Sequence, residues 1–521
     1  MSLPRKRSRR RPAEYLQKPR GLFHPRVQKV GPEHFGIVCV DPAKDRSKWM
    51  LCDFYGKVWS PPEFVAHNRP ELEADVARVR NTMQQHELHD MIVAVERTGS
   101  YHHVVKNIFT AAAFDTRLVH PYATKQFRQP ADPNNKTDDT DLAGIHRATV
   151  SGFALAEPVV DDAWLKLQLL IRHRRSLVQK SSALRAQIRH HLQAALPGYA
   201  TCFDDPWKTA LAMAVVRQFA SATAMVEAGL RGLLQFSREQ NIRCQQRTLA
   251  KILEWARNAA AADAAADTHR QIALAYEEDR QRKYQEIIGL ERAGAHLLVR
   301  TPYVLLLSFP GINVVSAADY AGEMGPISNY ANPRAITGRA GLFPSRYQSD
   351  RVDRGNGPLV RRANRALRAT ILAIADNLML CNHYFKAKAA HWRAAGKDPR
   401  HSHVKVGARF CRISYHMVAG RQVFRHPCLR ERSYILDKLL AFHTEHQTPM
   451  PETLQDLNQA LEHVPSREYP AEARPLAERM EKLSRRRAKG PQPLGDVLAL
   501  VLARLGVGRV QSTESGESDL T

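Results

Sequence analysis

The chain lacks most of what a secreted or membrane-spanning protein needs. Its 521 residues hold only seven cysteines, scattered and without a Cys-x-x-Cys pair. That excludes a disulfide framework and points to a reducing cytoplasm. No uninterrupted apolar run approaches the roughly 20 residues of a spanning helix, so no membrane partner is expected. The opening stretch Met-Ser-Leu-Pro-Arg-Lys-Arg-Ser-Arg-Arg-Arg-Pro has no apolar core of a signal peptide. It reads as a flexible basic arm suited to phosphates, or as a solvated tail. His403, Cys411, His416 and His426 cluster in sequence, but their spacing fits no common zinc pattern. Acidic residues are also few: 52 Asp plus Glu against 77 Lys plus Arg, a net charge of +25. A field of that sign favours a polyanion, and with no membrane segment that means nucleic acid.

The length allows two or three domains. Over residues 35–155, short apolar runs alternate with helical spacing. Phe35 to Gly56 predicts a hairpin, Met91 to Val95 and Thr116 to His120 further strands, and Glu71 to Gln85, Tyr101 to Ala113 and Lys136 to Val150 helices. This is the pattern of a compact α/β domain with a mixed sheet. Over 156–300 the character changes. Leu170, Leu177, Leu184, Ile188 and Leu192 make one stripe of a long amphipathic helix ended by Pro197-Gly198, and a second long helix runs back through Leu290. The pair predicts a coiled-coil arm or an ordinary bundle. Residues 301–428 form a mainly helical, strongly basic unit, and 429–521 a helical extension with a polar tail. The basic arm occupies 1–34.

Four acidic residues carry the chemistry: Asp41, Glu96, Asp138 and Asp141. Asp41 ends one apolar strand and Glu96 another. Asp138 and Asp141 are three apart at a helix start, so they share a face, and Asp139 points elsewhere. Phosphodiester chemistry at a two-metal site needs several carboxylates around Mg²⁺ (or Mn²⁺) ions about 4 Å apart. Singly, an Asp after a strand is also a common turn residue, and acids in a first helical turn are common caps.

Far downstream, Ser349 stands among Arg346, Arg351, Arg354, Arg361, Arg362 and Arg365. A serine hydroxyl attacks well only in a strongly positive field or beside a base. These arginines could hold a scissile phosphate and spread its developing charge. A serine in such a loop can also serve as a phosphate contact or a turn residue, and Ser345 is a neighbouring candidate. Pro310-Gly311-Ile312 ahead of a helix reads as a helix-hairpin-helix-like turn whose amides contact phosphate, or as a plain helix cap.

Taken together, these strings resemble the insertion-sequence transposases that pair a RuvC-like DEDD domain with a C-terminal serine domain. The matching stretches are Gly-Ile-Val-Cys-Val-Asp-Pro-Ala-Lys at Asp41, Glu-Arg-Thr-Gly-Ser-Tyr at Glu96 and Lys-Thr-Asp-Asp-Thr-Asp at Asp138 and Asp141. Downstream they are Pro310-Gly311-Ile312, Gly341-Leu342-Phe343-Pro344, Gln348-Ser349 and Gly355-Asn356. Asp350 and Asn313 stand where the pattern has glycine. The resemblance implies an RNase H/RuvC-like fold, divalent-metal use, and Ser349 as the nucleophile that joins to DNA. It also implies donor and target DNA as substrates, a structured guide RNA, and a homo-oligomer (dimer or tetramer) in the bacterial cytoplasm, at the nucleoid. The competing expectation is a metal-dependent nuclease or Holliday junction resolvase that uses the four acids alone.

Overall fold

A computed structural model of the chain describes residues 23–130, 133–157, 161–349, 352–354, 357–396, 398–424 and 435–464. Most of the basic arm, His426 and the polar tail lie outside them. The chain divides into two compact units at residue 159.

The first unit is built on a six-stranded mixed sheet. Its strands are β1 (Phe35–Pro42), β2 (Arg46–Asp53), β3 (Val58–Ala66), β4 (Asp90–Glu96), β5 (Asp115–Val119) and β6 (Ala154–Ala156), in spatial order β3-β2-β1-β4-β5-β6. β2 runs antiparallel to β1 and β3, β4 is parallel to β1 and β5, and β6 is antiparallel to β5. Helices cover both faces, and that explains why β1 and β4 are continuous apolar runs. Ile37, Cys39, Ile92 and Ala94 pack with Val27 of helix α1 (His24–Val30), Ala123 of α4 (Pro121–Arg128) and Leu142 and Ile145 of α5 (Asp138–Ala148). Val38, Val40, Val93 and Val95 pack with α2 (Arg69–Gln85) and α3 (His102–Ala111).

Asp75 of α2 is only 3% exposed, and its Oδ1 has no hydrogen-bond partner. Burial pushes its carboxyl up to about 7, against a pull down from Arg78. The native state then keeps a proton between about pH 4 and 7 that the unfolded chain has released. Stability from this group is therefore complete below pH 4 and lost as pH rises through 7. Asp75→Asn should stabilise the protein by about 2 kcal/mol at pH 8 and by almost nothing at pH 4. Denaturant melts at the two pH values test this. An equal effect at both would refute it.

The described residues of the second unit are helical apart from one ribbon. Helices α6 (Asp162–Ala195) and α10 (Ala266–Leu298) lie antiparallel, as cross-pairs His173–Glu286, Arg174–Glu291 and His191–His269 show. Leu177, Leu184, Ile188 and Leu192 are buried as expected. In the first turns, however, Leu167 and Ile171 carry the seam, and Leu170 is half-buried. The segment joining the long helices folds into a small subdomain of α7 (Ala210–Gln218), α8 (Ala222–Glu239) and α9 (Gln246–Arg257). Leu211, Val215, Leu233, Leu249 and Ile252 give it a core of its own.

A larger core gathers α11 (Val314–Met324), α12 (Pro333–Ala340), α13 (Arg365–Cys381), α14 (His383–Ala394) and α15 (Pro399–Ala419). Helices α16 (Ile435–Glu445) and α17 (Met450–Leu461) join it through Ile435, Leu439 and Leu457. Lys438 of α16 donates to the carbonyls of Leu307, Phe309 and Ile312 at 2.7, 2.5 and 2.8 Å. The extension thus clamps the Pro310-Gly311 turn from behind.

Glu323 is fully buried. It accepts from Arg172 Nε and Nη2 of α6 at 3.0 and 2.9 Å and from Asn364 Nδ2 at 3.1 Å, with Arg175 at 3.4 Å. These contacts hold its carboxyl below the ordinary range against the cost of burial. Asn364 caps α13, so one carboxylate ties α6, α11 and α13 together. Glu323→Ala strands the arginines and should cost about 3 kcal/mol, read as a lowered denaturation midpoint. An unchanged midpoint would show that the network is dispensable.

Candidate active site

Parallel pairing of β1 with β4 sets the site. Val40 lies opposite Val95, so Asp41 and Glu96 leave the two strands side by side at one sheet edge. The two-residue period of a strand fixes their face as well. Asp41 shares it with Ile37 and Cys39, and Glu96 with Ile92 and Ala94, which is the face covered by α4 and α5. Helix α5 starts at that edge with Asp138 and Asp141 in its first turn. Thr137 and Thr140 form a reciprocal capping box at its N-terminus, so the aspartates are not needed as caps. Asp139 pairs with Lys48 of β2 at 2.6 Å, and Lys48 is the residue opposite Asp41 in the sheet.

The electrostatics report convergence. Asp41 is half-buried, and its carboxyl is pushed up to about 7. Burial is the largest cause, followed by repulsion from Glu96, Asp141 and Asp138, with Lys136 pulling the other way. All three remaining acids therefore act on Asp41. They are not drawn into a single tight cluster. Among the described residues, no three His, Cys, Asp or Glu side chains stand close enough to hold one cation in common. Asp141, nearly buried, is held by Arg128 of α4, with Lys136 Nζ at 4.0 Å. Glu96 accepts from Thr98 Oγ1 at 2.8 Å. The donor set is entirely oxygen, the kind that Mg²⁺ and Mn²⁺ prefer. Burial and then its excess negative charge favour a proton on Asp41, which a divalent cation would displace.

Beside the acids lies a cleft of about 280 Å³, lined by Glu96, Asp141, Thr124, Lys125, Arg128 and Lys136. The sequence reading missed helix α4, which supplies Thr124, Lys125 and Arg128. Its one local signal is Pro121 at the first helical position, after the cap residue His120. Gly144 of α5 lets the two helices touch: a Cβ there would meet the Thr124 carbonyl at 2.9 Å.

Ser349 lies in the second unit, at the end of strand β7 (Tyr347–Ser349), paired with Val352 of β8 (Val352–Arg354). It is exposed at the head of a β-ribbon whose base is fixed by Val360 N to Phe343 O at 3.2 Å and Ser345 N to Pro358 O at 2.9 Å. Ser345 is committed to that base, its Oγ donating to Pro358 O at 3.0 Å. Of the arginines, Arg346 is exposed beside β7, and Arg361, Arg362 and Arg365 are exposed just before and at the start of α13. Arg354 ends β8; its side chain, together with Arg351, Asp350, Gly355 and Asn356, lies outside the described residues.

Gly311 has φ +95°, and a Cβ would meet the Asn377 carbonyl oxygen of α13 at 2.9 Å, so the turn is packed inward. Asn313 sits at φ −103°, not in the left-handed region, and caps α11 in a reciprocal box with Ser316. Helix capping and packing account for that turn as it stands.

No helix of the described residues is long and apolar enough to cross a membrane. No curated protein matches the chain. Residues 38–197, which include the end of β1, β4 and α5 with all four acids, match a family model described as a transposase, the DEDD transposase of IS110 type. Residues 303–390, which include the Ser349 ribbon, match that of the transposase IS116/IS110/IS902 family. Two separate stretches that match transposase family models, one carrying the four acids and one the Ser349 ribbon, mark the protein as a DNA transposase, an enzyme that recombines DNA.

Proposed function

We propose that the enzyme cuts and rejoins DNA strands with Asp41, Glu96, Asp138 and Asp141 as a divalent-metal site and Ser349 as nucleophile. The observation that carries this is the meeting of two strand ends and one helix start, whose three other carboxylates all raise the proton affinity of Asp41. Asp41, Glu96, Asp138 and Asp141 would have to close up from their present separation to hold Mg²⁺ or Mn²⁺, which when bound would polarise a scissile phosphate and offset its transition-state charge. Lys125, Arg128 and Lys136 along the cleft bind and orient the DNA backbone.

In the serine step, Ser349 Oγ forms a bond to a DNA phosphorus and gives up its proton to solvent. The bond from that phosphorus to one deoxyribose oxygen breaks, and the oxygen leaves as an alcohol after taking a proton. A hydroxyl of a second strand reverses the step and releases the serine. Each exchange conserves the number of phosphodiester bonds, so no energy-rich cofactor is required. Arg346, Arg361, Arg362 and Arg365 supply the positive field that a weak hydroxyl nucleophile needs. The charge of +25 suits simultaneous contact with DNA and a structured RNA that chooses the DNA sites. We place the reaction in a homo-oligomer, where the acids and the serine can come from different protomers.

A denaturing gel of the protein incubated with labelled DNA and Mg²⁺ tests this directly. A covalent protein–DNA band is expected. Cut DNA without any such band would favour a resolvase that uses water at the four acids.

A further inference from the structure

The small subdomain between α6 and α10 plays no part in the chemistry above, yet it holds a cavity of about 780 Å³. Lys208, Arg243, Arg247 and Lys251 line it, against two carboxylates, Asp204 and Asp205. Asp205 is already engaged: its side chain accepts from the Trp207 amide, and Lys208 stands 3.8 Å away. Arg243, Arg247 and Lys251 are exposed and have no acidic partner among the described residues. Arg247 also lies in the first turn of α9, where the helix dipole disfavours a cation, and that turn has no acidic residue to offset it. Unpaired cations gathered in a concavity, one of them against a helix dipole, cost the protein stability unless an anion fills the space.

A second cavity, about 550 Å³, adjoins the first and shares Phe203, Asp204 and Asp205 with it. Arg185 and Arg189 of α6 line it. The two together make a basic track that passes a half-buried aromatic ring. A duplex carries its phosphates on a stiff convex cylinder and cannot enter cavities of this size. An unpaired strand can turn its phosphates inward and rest a base on the ring.

We propose that this track binds an unpaired segment of nucleic acid, holding its phosphates on Lys208, Arg243, Arg247 and Lys251 and continuing past Phe203 to Arg185 and Arg189. The site is separate from the four acids and from Ser349, so it stands whether or not their assigned roles do. RNA and DNA share the phosphodiester chemistry recognised here.

The test uses the full-length protein and its Arg243→Glu/Arg247→Glu variant. Fluorescence anisotropy follows labelled single-stranded RNA, single-stranded DNA and duplex DNA of equal length over a range of salt. At least one single strand should bind the variant tenfold or more weakly, with a salt slope shallower by about two. Duplex binding should not change, and the melting temperature should not fall. Loss confined to RNA or to DNA supports the site and names its occupant. In the wild-type protein, the affected strand should also shield Lys208 and Lys251 from an amine-modifying reagent. Equal single-strand binding by both proteins, loss on the duplex alone, or unshielded lysines would overturn the proposal.

Discussion

Asp41→Asn should abolish DNA strand cleavage, by about 10³-fold or more, while nucleic-acid binding stays within a few-fold of the wild type. Asp41 is the hub of the acidic site, since burial and all three other carboxylates act on it. The amide keeps its shape but gives up the charge a cation needs. It also removes the like-charge repulsion, so the variant should melt at or above the wild-type temperature near pH 8. Loss of activity in a protein at least as stable separates a catalytic role from a structural one. Retained cleavage would remove Asp41 from the chemistry.

Ser349→Ala should cost at least about 10³-fold in recombination and eliminate any covalent DNA adduct. The side chain is exposed at the end of β7, and its partner Val352 is joined to it through backbone pairing, so the ribbon has little to lose by the change. Melting temperature and DNA binding should match the wild type. Ser345→Ala is the internal control. Its hydroxyl donates to the Pro358 carbonyl at the ribbon base, so this variant should loosen the ribbon and slow recombination without abolishing it. If the two phenotypes were exchanged, Ser345 would be the nucleophile.

Much of the first unit was legible from its sequence because its chemistry lies at strand and helix ends, which local patterns mark well. Two apolar runs ending in Asp41 and Glu96, and helical spacing from Lys136, were enough to place three elements. What they could not supply was pairing. That β1 lies beside β4 and not only beside β2 is a long-range fact, and the whole site depends on it. β3 escaped notice because Pro61 and Pro62 argue against a strand. An edge strand tolerates them, and β3 is the sheet's edge. Helix α4 escaped because it is only eight residues long and its apolar stripe is the single pair Ala123 and Phe127, so Arg128 and its pairing with Asp141 came only with the structure.

The second unit was harder. The long helices showed in the leucine spacing, but Leu170 stood in for the true contacts Leu167 and Ile171, one turn-fraction away. The separate core between α6 and α10 has no repeat or motif that announces it. Nor could Lys438 be singled out: a lone lysine on a helix is ordinarily solvated, and only the fold shows three carbonyls around its ammonium.

Calorimetric titration of Mn²⁺ into the wild-type and Asp41→Asn proteins near pH 7, in buffers of different ionisation enthalpy, tests the central claim most directly. The wild type should bind the cation and release protons as it does so, because Asp41 is still partly protonated at that pH, and the variant should bind far more weakly without that release. Identical Mn²⁺ affinity and proton release in the two proteins would mean that the four acids do not share a cation.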